Sequence, residues 1–184
     1  MSDNRFGDWF QSFTGKKIYP LDFRPEDVDI QDIAHALGHL CRFNGHTRVF
    51  YSVAQHSCLC SHLVPANQAL DALMHDASEA YLCDMVRPLK KFAAFNGIEG
   101  VTSFRDVEDR IMTTIAKKYG IHFPFTPEIH RADNVALVTE ARDLMGVNAL
   151  LAWNYADKPA PFEIIPLSPE ESVELFLSRF SELS

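Results

Sequence analysis

From Asp29 onward, apolar residues recur every three or four positions: Ile30, Ile33, Ala34, Leu37, Leu40 and Cys41 fall on one stripe. Only a helix gathers that spacing onto a single face; a strand would scatter it over two. The same pattern returns between successive breaks. Ser52 is the predicted N-cap of a second helix with Val53, Leu59, Cys60 and Leu63 inward, ending before Pro65. A third helix is predicted from Asn67 to about Cys83, with Leu70, Leu73, Met74, Ala77 and Tyr81 on its apolar side. Arg87 to Lys90 reads as a loop, and residues 93–103, with Gly97 and Gly100, as a longer mobile one. A fourth helix takes Phe104 to Tyr119, stopped by Gly120, and a fifth runs through Ala132, Val135, Ala136 and Leu144 to Gly146. A Pro-rich loop over 158–169 leads to a last helix opened by Ser168, Pro169 and Glu171, an N-cap, an N1 proline and a capping-box acid.

These stripes predict an all-α fold. The 184 residues suffice for one domain and one core without metal or disulfide staples. The predicted organisation is an N-terminal arm over 1–28, irregular or a short hairpin around Thr14-Gly15, a core over 29–146, and a loop with a C-terminal helix over 147–184.

Charge narrows the function classes. With 17 Lys+Arg against 25 Asp+Glu the net charge is −8, which repels a nucleic-acid polymer at long range but leaves room for a local basic pocket. No apolar run reaches the roughly 18 residues of a membrane span. The acidic, polar start MSDNRFGDWF does not read as a secretion signal, so a cytoplasmic location is expected. Cys41, Cys58, Cys60 and Cys83 form no CxxC pair and read as reduced, packed thiols.

The third helix carries the chemistry. His75, Asp76 and Glu79 project to the face opposite its apolar stripe, with Asp76 at the flank. A solvated face normally mixes acids with Lys and Arg, yet residues 68–84 contain neither. Imidazole and carboxylate without a counter-charge point to a missing cation. His56 in SVAQHS and Asp133 in RADNVAL are the candidates for further ligands, each polar within a helical pattern.

The order His56, His75-Asp76, Asp133 resembles the HD-domain metal phosphohydrolases. YSVAQHS and HDASEAYLCDMVRPLKKF resemble the corresponding stretches of bacterial 5′-deoxynucleotidases, with His75, Asp76, Glu79, Asp84, Pro88 and Lys90 at matching spacing. The overall resemblance, from about Asp29 to Asp143 and strongest over residues 40–90, is to small HD hydrolases that include phage dATP triphosphohydrolases. It implies that His56, His75, Asp76 and Asp133 hold a divalent transition metal. Glu79 would orient or deprotonate the attacking water, and Asp84 would support the site or a second divalent ion. Arg42 would contact phosphate, Phe43 the sugar or base, Pro88 a base edge, and Lys90 would complete the phosphate clamp. His46, after the Gly45 turn, would line the pocket. The interval from His56 to His75 requires a tight helix connection at Pro65.

Elementary chemistry agrees with those roles. Mixed imidazole and carboxylate ligation suits Mn, Co, Fe or Zn better than Mg or Ca. Charge building on phosphoryl oxygens needs nearby cations, for which Arg42, Arg48, Arg87, Lys90 and Lys91 are the densest supply. The expected activity is hydrolysis of deoxynucleotides, as a dNTP (dATP-type) triphosphohydrolase. The alternatives are a 5′-deoxynucleotidase and a non-catalytic nucleotide sensor. The expected partner is a small nucleotide rather than a nucleic-acid polymer or membrane. The i, i+4 pair His35 and His39 lies away from its helix's apolar stripe and suggests a subunit contact in a homo-oligomer.

Overall fold

Among the residues that the computed structural model describes, 4–97, 100–146, 149 and 156–184, most of the regular structure lies in eight α-helices and two small hairpins. The helices are α1 (Ile30–His39), α2 (Val53–His62), α3 (Ala69–Leu73), α4 (Glu79–Leu82), α5 (Arg87–Lys90), α6 (Phe104–Tyr119), α7 (Pro127–Leu144) and α8 (Pro169–Leu183). Residues 147, 148 and 150–155 of the loop expected at the start of the 147–184 segment lie outside the described residues.

Helix ends follow local chemistry. The Asp29 and Ser52 side chains accept from the backbone N–H groups of Gln31 and Gln55, opening α1 and α2. Ser103 with Asp106, and Ser168 with Glu171, form reciprocal capping boxes on α6 and α8. Gly120 closes α6 at φ +69°, a left-handed conformation suited to glycine. Ile33, Leu37, Leu73, Met74, Ile111, Ile115 and Phe176 meet in one core, fully or almost fully buried. Within it α1 packs along α8 and against α2 and α4, while α2 packs against α3, α7 and α8. The α1–α8 approach is close because Gly38 has no side chain. A Cβ there would overlap the Val173 methyl and press on the Pro169 carbonyl.

The all-α expectation is corrected by two antiparallel hairpins, which make the fold a mixture of helix and strand. In the first, β1 (Phe10–Gln11) pairs with β2 (Lys17–Ile18), Phe10 opposite Ile18. The Thr14 backbone N–H and hydroxyl donate to the two Asp32 oxygens at 2.7 and 2.9 Å, pinning this hairpin to α1. In the second, β3 (Ala94–Gly97) pairs with β4 (Gly100–Ser103), in the segment expected to be a mobile loop. Phe95 and Thr102 face each other on its half-buried side. Glycine content alone suggests a loop; alternation and Val101-Thr102 propensity favour a ladder once a core edge is present.

Two further local expectations are revised. The third predicted helix is interrupted by turns over 74–78, dividing it into α3 and α4, and Arg87–Lys90 is a short helix rather than a loop. Between α2 and α3 the chain turns at Pro65 and a 3-10 turn, Ala66–Gln68. A second 3-10 turn, Arg42–Gly45, follows α1 and holds Phe43 and Asn44 at φ +53° and +52°.

Candidate metal centre and adjoining pocket

Three elements converge on one point. α2 presents His56 one turn past its Ser52 cap, the interruption between α3 and α4 presents His75 and Asp76, and α7 presents Asp133. His56 Nε2 lies 3.3 Å from His75 Nε2, 3.6 Å from Asp76 Oδ2 and 3.3 Å from Asp133 Oδ1; His75 Nε2 lies 3.2 Å from Asp76 Oδ2. The break after α3 matters because a continuous helix would fix His75 and Asp76 at diverging angles.

Hydrogen bonds on the far side of each ring identify its inward nitrogen. His75 Nδ1 is 2.8 Å from the Ala72 carbonyl, and His56 Nδ1 is 2.6 Å from Glu140 Oε1. Both oxygens can only accept, so each Nδ1 carries the proton and a neutral ring turns its Nε2 lone pair inward. Two lone pairs and two carboxylates around one point repel unless a cation lies among them. The donor set therefore fits a divalent metal, or in its stead a proton. Burial and Arg42 oppose a charge on His56, but Cys60, Glu140 and Asp133 outweigh them and raise its pKa well above the usual histidine value. For Asp133, burial is outweighed chiefly by the hydrogen bond and charge of His56, which hold its carboxyl well below the ordinary range.

Cys60, one turn beyond His56 on α2, adds a sulfur 3.5 Å from His56 Nε2. His56, Cys60 and His75 thus form a cluster able to hold a metal ion, with ligand atoms within 4.8 Å of one another. Burial raises the Cys60 thiol, against the pull of His56. Its i+4 relation to His56 was the available signal for it.

Beside the centre opens a cavity of about 490 Å³. Arg42, His46, Asp84 and Arg87 supply its polar lining; Phe43, Met85, Val86, Pro88, Leu137 and Met145 supply the rest. The strained Arg42–Gly45 turn and Cys83, at φ +103°, position its two walls. Arg42, Phe43, His46, Asp84 and Pro88 of the expected site thus share one pocket. Lys90 does not line it: its Nζ lies 2.5 Å from Glu108 Oε1 and 3.8 Å from Glu79 Oε1. Arg87 lies 3.3 Å from Asp133 Oδ2.

Glu79 is 6% exposed, and its Oε2 has no hydrogen-bond partner among the described residues. Burial, then the charges of Asp76 and Asp84, raise its pKa well above the usual carboxylate range, against Lys90 and Arg42. Burial also raises Asp84. Glu140 and Glu108 escaped the sequence reading because each lies on a helix where an acid passes for a surface residue. Away from the site, His35 stacks on Phe13 at 3.9 Å between ring centroids and on His39 at 4.2 Å.

Comparison with known proteins gives the chain a lineage. It is 39% identical over 179 residues to the uncharacterized protein YfdR of Escherichia coli K12, covering 96% of each chain. The chain belongs to the YfdR family. A second relative, an uncharacterized protein of Rhodobacter capsulatus, is 31% identical over 166 residues, covering 83% of this chain and 81% of its own. No family model matches. Among the described residues no helix is long and apolar enough to cross a membrane.

Proposed function

We propose that this protein is a metal-dependent phosphohydrolase of the HD type, acting on deoxynucleotides. The observation that carries the proposal is the pair of Nε2 lone pairs held 3.3 Å apart by outward Nδ1–H bonds, with Asp76 and Asp133 alongside. His56, His75, Asp76 and Asp133 would hold Mn, Co, Fe or Zn. When bound, such an ion supplies Lewis acidity and makes a water acidic enough to attack near neutral pH.

The remaining work falls to the chain. Arg42, whose guanidinium stays charged because Glu140, Asp76, Asp84 and Asp133 outweigh its burial, binds a phosphoryl oxygen from the pocket wall. Glu79, in its ionised form, takes the proton of the attacking water, and its raised pKa makes that carboxylate a stronger base. Asp84 supports that water or a second divalent ion. Phe43 presses on the deoxyribose, Pro88 and the apolar wall take the base, and His46 borders the mouth. The water oxygen bonds to the α-phosphorus as the bond from that phosphorus to the sugar 5′-oxygen breaks, and the 5′-oxygen takes up a proton, so the nucleoside leaves with a free 5′-hydroxyl.

Our leading substrate is a dNTP of the dATP type, with Arg87 and Arg48 toward the β- and γ-phosphates; Arg48 donates to the carbonyl of Met145, a residue of the pocket lining. A second reading, a 5′-deoxynucleotidase, is favoured by the commitment of Lys90 to Glu108 and of Arg42 to Glu140. Incubation of metal-loaded protein with all four dNTPs and dNMPs, with products separated by chromatography, tests both. We expect dATP to give deoxyadenosine and inorganic triphosphate, faster than ATP. Orthophosphate from dAMP with dATP untouched selects the nucleotidase; no turnover of any of the eight refutes the proposal.

A further inference from the structure

Glu140 lies at 0% exposure in the interior, where an ionised carboxylate persists only if both oxygens are engaged. Here they are. Oε1 accepts from His56 Nδ1 at 2.6 Å, and Oε2 accepts from Arg42 Nε at 3.2 Å. The first partner belongs to the metal centre and the second to the pocket wall. Asp133, seven residues earlier on α7 and on the same helical face, approaches the other nitrogen of His56. One helix therefore grips a single imidazole at both ends, and the grip at Nδ1 is shared with the pocket arginine.

We infer that Glu140 is a positioning residue serving both halves of the site: it aims His56 Nε2 at the metal position and holds Arg42 in the pocket wall. This inference rests on the metal-hydrolase reading above. A carboxylate is required because two N–H donors meet at one side chain. An amide oxygen in its place can accept from one of them, and its NH2 then faces the other donor. The two functions are thereby linked: loss of Glu140 weakens cation uptake and anion binding together, though it touches neither ligand.

The test is Glu140→Gln in metal-free, substrate-free protein, titrated with Co²⁺ by calorimetry and by visible absorption, with thermal unfolding followed alongside. The expected result is a folded variant binding Co²⁺ about 10- to 100-fold more weakly, the usual effect of removing a carboxylate behind a ligating histidine. Its Co²⁺ absorption band should change, and inorganic phosphate should bind the Co²⁺-saturated variant more weakly than wild type. If the glutamine variant does not fold, Glu140→Asp, which keeps the charge but is one methylene shorter, should show the same loss of Co²⁺ affinity. A folded variant with wild-type Co²⁺ affinity overturns the inference and leaves the metal reading standing. Unchanged phosphate affinity at saturating Co²⁺ overturns the Arg42 half. Wild-type protein that takes up no Co²⁺ overturns both the inference and the function on which it rests.

Discussion

Replacing Glu79 by glutamine should stabilise the metal-free protein while disabling it. The carboxyl is 6% exposed with Oε2 unpartnered, and burial with Asp76 and Asp84 raises its pKa well above the usual range. A raised folded-state pKa contributes stability that is fully present below the unfolded value, about 4.3, and is lost as pH rises through the folded value. Wild type should thus lose stability as pH rises above the unfolded value toward the raised folded one, whereas glutamine does not titrate. An unsatisfied buried group costs about 1–3 kcal/mol, and the amide brings some burial cost of its own, so the net gain at pH 8 is on the order of 1–2 kcal/mol. For a chain of this size that corresponds to about 2–8 °C in melting temperature. Calorimetric melting of both proteins at pH 5 and pH 8 measures it, the increment being larger at pH 8. In loaded protein, metal content should be retained while turnover falls by roughly 100-fold or more, the scale of general acid–base assistance. A glutamine variant that melts lower at pH 8, or gains equally at both pH values, would refute the assignment of a buried carboxyl with an unsatisfied Oε2. Near-normal turnover would show that Glu79 only packs.

Three further outcomes follow from the geometry. His75→Ala and Asp76→Ala should each lose bound metal and activity together, and full metal by elemental analysis in both would remove them from the ligand set. Because metal-free His56 has a raised pKa, a cation must displace its proton below that value. Apparent metal affinity should then weaken by about tenfold per pH unit on acidification, and titrations at several pH values giving one constant would contradict this. Gly38→Ala should destabilise the fold by about 1–3 kcal/mol by forcing α8 off α1, measurable as a lower denaturation midpoint; an unchanged midpoint would mean the helices separate freely.

Several features of this protein were settled by neighbours a few positions away in the chain. The caps at Ser52 and Ser168, the stop at Gly120 and the inward stripe of α1 depend on hydrogen bonds and spacings within one or two turns, so they could be read directly. His75 and Asp76 could likewise be singled out in a segment without Lys or Arg, and His56 and Asp133 as polar residues within helical patterns. Other features were decided by packing across the molecule. The turns over 74–78 interrupt a stripe that is helical by periodicity, while Met74 and Ala77 on either side of His75 and Asp76 are fully buried. Lys90 is drawn to Glu108 rather than to the pocket because α6 lies beside α5. The β3–β4 ladder required a partner strand and a core edge for Phe95. Glu140 shows the division most plainly: on α7 it is one acid among several, and only the arrival of His56 from 84 residues away and Arg42 from 98 gives its two oxygens separate partners. Periodicity can assign a residue to a face, but a buried charge acquires its role from whatever the fold sets opposite it.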